Sequence, residues 1–217
     1  MGEKQMVYSF RQAENAFRQA DIRSVIFDMD GTLYHQGPVR FRMALRLAAF
    51  YGTHPHRLRE LAGIRHFRRI REEEAFRTVP MEAQIQDAAR RAGLRDREAL
   101  KKAIRRWMFD APLREIARHP RKDVISSLRR WQAEGRRILI YSDYAAEDKA
   151  AALGLRPDAI YYPGVAGIKE MKPSPERMRI ILDREGLRPD QAVMIGDRME
   201  KDGKSAELAG TNFILVQ

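Results

Sequence analysis

The chain has 217 residues, no cysteine, 33% charged residues and a net charge of +11. Disulfides, thiolate catalysis and cysteine-held zinc are thereby excluded. No apolar run is long enough to cross a membrane.

The N-terminus carries no apolar leader core. Position 6 is Met6, where a myristoylation pattern needs Ser or Thr. A cytoplasmic location is expected. The length allows one large core, or a core with a smaller second domain. The positive charge is uneven. Residues 34–111 hold 18 Lys and Arg against 9 Asp and Glu, and the rest hold 23 against 21. Such a surplus raises nucleic acid or anionic ligands as partners.

Residues 7–20 space Val7, Phe10, Ala13 and Phe17 at helical intervals, which predicts a short amphipathic helix. "SVIFD" (24–28) is an apolar, β-branched run that ends in an acid. Such a run suits a parallel strand buried on both faces. Residues 35–110 lose strand character. "HRLRELAGIRHFRRI", "MEAQIQDAARRAG" and "REALKKAIRRWMF" repeat apolar residues at i, i+3 and i+4. An all-helical insert of four or five helices is expected there.

From residue 111 strands and helices alternate. Helices are expected at 123–135, 174–186 and from 204, with another through "AAEDKAAALG". Strands are expected at 137–143, 158–163, 192–197 and 212–216. Ser174 is the expected N-cap of its helix, with Pro175 at the first position and Gly186 after the last turn. "GLRPD" occurs at 154–158 and 186–190, each time between a helix and a strand. Alternation of this kind predicts an α/β fold, a doubly wound parallel sheet of Rossmann-like type. Residues 1–34 and 111–217 would form the core, and 35–110 a separate helical domain.

Three of the strands end in reactive residues: Asp28, Ser142 and Asp197. In open parallel sheets, ligands bind beyond the carboxyl ends of the strands. Lys172 in "MKPSP" stands just before a helix start, where anions are favoured. Taken singly, each residue has a structural explanation as a cap or turn. Their order along the chain is more specific.

"DMDGT" (28–32), Ser142, Lys172 before a proline, and "GDRMEKD" (196–202) together resemble the four motifs of the haloacid dehalogenase-like superfamily, most of whose members are phosphohydrolases. The helical insert resembles that family's cap. Asp143 follows Ser142 where many members carry asparagine.

The resemblance implies roles. Asp28 would be the nucleophile, forming an aspartyl-phosphate. Asp30 would be the general acid and base. Ser142 and Lys172 would bind the phosphoryl oxygens. Mg²⁺ would be held by Asp28, the backbone carbonyl of Asp30, and Asp197. Gly31 would permit the turn, Thr32 would hold it through a hydroxyl bond, and Asp202 would support the site through Lys172 or a water. Asp30 also separates reaction classes. A departing halide needs no proton, whereas a departing alkoxide does.

The expected activity is a Mg²⁺-dependent phosphatase on a small, anionic organic phosphate. A phosphomutase or phosphotransferase of the same superfamily is the alternative within that chemistry. A nucleic-acid-associated protein using the basic insert is the alternative outside it. Arg40, Arg42, Arg68 and Arg69 are the insert residues expected to face an anionic substrate if the surplus charge has that purpose.

Overall fold

The computed structural model describes residues 7–9, 21–73, 78–165, 167–168 and 170–216. The chain divides into two compact units: Met1–His35 with Pro120–Gln217, and Gln36–His119.

The first unit is built on a six-stranded sheet. Its strands are β1 (Val7–Ser9), β2 (Ser24–Phe27), β3 (Arg137–Tyr141), β4 (Ala159–Tyr161), β5 (Ala192–Gly196) and β6 (Asn212–Leu215). They lie in the order β1-β6-β5-β2-β3-β4, and every neighbouring pair is parallel. The central strand β2 is wholly buried, as its continuous apolar run requires.

Side chains alternate across a strand, and both faces of the sheet are covered. Ile26 joins Leu139, Met194, Met178 and Ile181 in one apolar cluster. Phe27, next along the strand, stacks on Trp131 of the helix Lys122–Ala133, with ring centroids 6.2 Å apart. The α/β architecture read from the sequence is therefore present. Both copies of "GLRPD" serve as read: Gly154 and Gly186 take left-handed φ of 65° and 62° just past their helices.

Two sequence expectations need correction. The helix expected over 7–20 begins with β1 instead, and residues 10–20 lie outside the described residues. The edge of β6 offers unpaired backbone groups, and residues 7–9 pair with Phe213–Leu215. Local periodicity carries no information about such a partner.

The second correction is the domain limit. The helix Leu113–Arg118 belongs with the helical unit, packed on the helix Gln36–Thr53. The chain enters the core at Pro120, which bridges to Tyr34. Arg121 then donates its N–H to the Leu33 carbonyl at 3.0 Å. Pro112 reads as the boundary in the sequence, yet it is tolerated at a helix start and does not interrupt the helical unit.

Ser174 stands at the N-cap of the helix Pro175–Glu185, as expected, although its hydroxyl makes no capping bond. Its carbonyl instead accepts from Ser205 Oγ at 3.2 Å.

The second unit holds the helices Gln36–Thr53, Leu58–Ile70, Met81–Arg91, Arg97–Ile104 and Leu113–Arg118, with a π-helical turn at Arg105–Asp110. Phe67, Ile70, Ile85, Ala88, Leu100 and Ile104 form its interior.

Candidate active site

Strand order assembles the site. β5, β2 and β3 are adjacent and parallel, so their carboxyl ends share one rim. Asp28 follows β2, Ser142 follows β3 and Asp197 follows β5. The Asp28 N–H donates to the Ile195 carbonyl at 2.8 Å, and the Ser142 N–H to the Tyr161 carbonyl at 2.9 Å. The functional side chains therefore stand on backbone still fixed by the sheet.

Lys172 arrives from the loop before the helix Pro175–Glu185. It is 4% exposed. Its ammonium donates to Asp28 Oδ1 and, at 2.6 Å, to Asp202 Oδ1. Thr32 Oγ1 donates to Asp28 Oδ2 at 3.2 Å. The Ser142 hydroxyl oxygen accepts from the Tyr144 N–H at 3.2 Å. A hydroxyl that accepts one bond keeps a proton of its own that can donate toward a ligand.

Two glycines allow the close approach. Gly31 has φ of 101°, and a Cβ there would overlap Asp197 Oδ2 and lie 2.7 Å from Asp197 Cγ. A Cβ on Gly196 would lie 2.6 Å from Asp202 Cγ. Gly31→Ala should therefore strain the backbone, at about 1–2 kcal/mol, and push Asp197 out of place. The expected result is a lower melting temperature, by roughly 2–4 °C for each kcal/mol. Any stabilisation by Mg²⁺ should disappear as well. Thermal melts with and without the metal check both.

Asp28, Asp197 and Asp202 each offer a carboxylate oxygen, and these three atoms lie within 4.8 Å of one another. One ammonium cannot neutralise three carboxylates. Burial, opposed by Lys172 and reinforced by Asp202 and Asp30, pushes Asp28 up to about 8. Burial and Asp202 likewise raise Asp197. Burial would lower Lys172, but Asp202 and Asp28 override it and hold the ammonium charged. Among the described residues, Asp197 Oδ1 is buried without a hydrogen-bond partner. Uncompensated negative charge, an orphaned oxygen and hard oxygen donors are what a divalent cation such as Mg²⁺ fits. Asp28 and Asp197 would hold it. Asp202 is engaged with Lys172 and with the Arg198 N–H, at 3.2 Å.

Asp30 is held differently. Lys149 Nζ donates to Asp30 Oδ1 at 2.5 Å, and the Tyr34 hydroxyl donates to the same oxygen. Burial would raise this carboxyl, but Lys149 and Tyr34 outweigh it and bring it below the usual carboxylate range. In the free site Asp30 is therefore a carboxylate.

Lys149, Tyr34 and Arg177 are absent from the sequence reading. A usable signal existed for two of them. Ala146, Lys149, Ala150 and Leu153 form one buried helical stripe, and so do Arg177, Met178, Ile181 and Leu182. A cation on an apolar stripe needs a buried anion. Among the insert residues, Arg40, Arg42, Arg68 and Arg69 are all exposed. Arg65, His66, Arg68 and Arg69 line a hollow of about 480 Å³ beside the helix Leu58–Ile70.

A family model described as a haloacid dehalogenase-like hydrolase matches residues 22–210. Among proteins of curated function none matches the chain. Solved structures do. A 2-haloacid dehalogenase from Pseudomonas syringae pv. Tomato DC3000 superposes with a TM-score of 0.62 at 20% identity, over 89% of this chain and 86% of that one. A candidate HAD-hydrolase, YfnB, from Bacillus subtilis, solved bound to magnesium, gives 0.61 at 16% identity, over 90% and 88%. A candidate β-phosphoglucomutase from Thermotoga maritima gives 0.57 at 22% identity, over 89% and 84%. At these identities the likeness is one of fold.

Proposed function

We propose, for a chain that belongs to the haloacid dehalogenase-like hydrolase family, a Mg²⁺-dependent phosphatase acting on a small, anionic phosphate monoester. The observation that carries this reading is the second carboxylate. Asp30 stands two residues beyond Asp28 with one oxygen held by Lys149 and Tyr34, so its other oxygen can serve a leaving group. A halide leaves as an anion without a proton. A carboxylate held there has no task in dehalogenation and a necessary one in ester cleavage.

Asp28 attacks phosphorus, the P–O bond to the alcohol breaks, and Asp30 gives a proton to the departing oxygen. Asp30, a carboxylate in the free site, takes up that proton from solvent as the anionic substrate binds and adds its own negative charge, and in later turnovers it keeps the proton taken from the attacking water. Water then attacks the aspartyl-phosphate, Asp30 takes its proton, and phosphate leaves with Asp28 regenerated. Lys172 and Ser142 hold the phosphoryl oxygens, where charge spreads in the transition state. A Mg²⁺ held by Asp28 and Asp197 would offset the repulsion between Asp28 and the substrate. The basic surplus of residues 34–111 supports an anionic substrate.

A panel of phosphate monoesters and 2-haloacids, assayed with Mg²⁺ for released phosphate and halide, tests the reading. Phosphate release is expected. Halide release alone would overturn it. Phosphate retained on a second hydroxyl, with none set free, would indicate transfer in place of hydrolysis.

Metal removal gives a further check. EDTA should abolish turnover, and Mg²⁺ should restore it. Mg²⁺ should also raise the melting temperature of the wild type but not of Asp197→Asn. Full activity in metal-free buffer would reject the metal assignment.

A further inference from the structure

Asp143, partly buried, and Arg177, fully buried, form an ion pair beside the residues read as phosphate-binding, and the proposed chemistry does not use it. Arg177 is 1% exposed. Its Nη1 donates to Asp143 Oδ1 at 3.0 Å, and its Nη2 donates to the Ser142 carbonyl. The same Asp143 Oδ1 accepts the backbone N–H of Lys172 at 3.0 Å. The guanidinium also lies over the Tyr141 ring, 4.4 Å from its centroid, and the Lys172 ammonium approaches that ring at 4.8 Å. One pair of charges thus ties the strand end carrying Ser142 to the backbone carrying Lys172.

An amide at position 143 could accept the Lys172 N–H equally well. The carboxylate is required only because a cation is buried beside it. Conversely, without Arg177 the partly buried Asp143 anion would compete with Asp28 and Asp202 for the Lys172 ammonium. Each charge makes the other tolerable, and each alone would disturb Lys172. Removal of one partner from a buried pair is far more costly than replacement of both.

We propose that the Asp143–Arg177 pair is a positioning device that sets Lys172 against the loop bearing Ser142, so that ammonium and hydroxyl face the same phosphoryl group. This rests on the reading of Lys172 and Ser142 as phosphate-binding residues. Neither Asp143 nor Arg177 touches the reacting atoms.

The test uses Arg177→Met, Asp143→Asn, their double variant and Arg177→Lys in the full chain. With misplacement of about 1 Å able to cost roughly 10²-fold, Arg177→Met should lower kcat about 10- to 100-fold per folded molecule, with a smaller change in KM. The double variant should recover at least about tenfold of that loss, because no charge is left unpaired. Hydrogen exchange of the Lys172 amide, measured well below the melting temperature, should be faster in Arg177→Met than in wild type and slowed again in the double variant.

A merely structural pair would shift the melting temperature but leave kcat per folded molecule and this exchange unchanged, and that result would overturn the proposal. So would a stable double variant as slow as Arg177→Met. If the neutralised singles do not fold, Arg177→Lys and the double variant decide. Arg177→Lys keeps the charge but loses the two-point contact, so an intermediate kcat is expected and wild-type kcat would count against positioning. A wild type that releases no phosphate would sink the phosphatase reading, and the exchange comparison would still decide the role of the pair.

Discussion

Asp28→Asn should lower turnover by at least about 10³-fold, the scale seen when one member of a catalytic unit is removed. The substitution keeps shape and removes the nucleophile. The amide oxygen it introduces could still accept from Lys172, and the amide NH2 could donate to the Thr32 hydroxyl, so the protein should remain folded. The direction of the Asp28 shift allows a second expectation. Its folded value of about 8 lies above the usual 3.8, because burial and neighbouring carboxylates disfavour the anion. A raised carboxyl binds its proton more tightly when folded. Its contribution to stability is present at low pH and is lost as pH rises from the usual value through the folded one. Metal-free wild type should therefore lose stability between about pH 4 and about pH 8, and metal-free Asp28→Asn should lose less. Melts across that range check the sign. Turnover that survives in Asp28→Asn would mean that another group attacks.

Asp30→Asn should discriminate between leaving groups. An alkoxide needs a proton early in its departure, and a nitrophenolate hardly needs one. Single-turnover phosphorylation by alkyl phosphates should slow by about 10²- to 10⁴-fold, with a much smaller loss on p-nitrophenyl phosphate. The second step should slow for every substrate, since no base remains for the attacking water. The phospho-enzyme should then accumulate with the aryl ester. Equal losses on both substrates in the first step would reduce Asp30 to a structural acid. The structure adds a control. Asp30→Asn leaves the ammonium of Lys149, a residue 7% exposed, without its ion-pair partner. Lost stability must therefore be separated from lost chemistry. Lys149→Met combined with Asp30→Asn should restore melting temperature without restoring the alkyl rate.

The sequence by itself determined the parallel α/β core, the acids at the ends of β2 and β5, the hydroxyl after β3, and the lysine before the Pro175–Glu185 helix. Each is a local pattern. An apolar run buried on both faces must end where a polar residue begins, and a glycine or proline must sit where the backbone turns. Such signals span a few residues and need no knowledge of distant neighbours. Gly31 was legible in the same way as a turn residue, although its close approach to Asp197 was not.

Tertiary structure alone decided which charges meet. Lys149 reaches Asp30 across 119 positions, and Arg177 reaches Asp143 across 34. Nothing local distinguishes these cations from the exposed arginines of the helical unit, save their place on an apolar stripe. The same holds for β1, which is a strand because β6 has an open edge, and for the helix Leu113–Arg118, which belongs to the unit that it packs against. Asp202 was expected to act through a water or through Lys172, and the fold brings it onto the lysine. A partner chosen by long-range packing leaves no periodic trace in the chain. Burial then makes that partner obligatory, because an ion removed from water must find its counterion inside the protein.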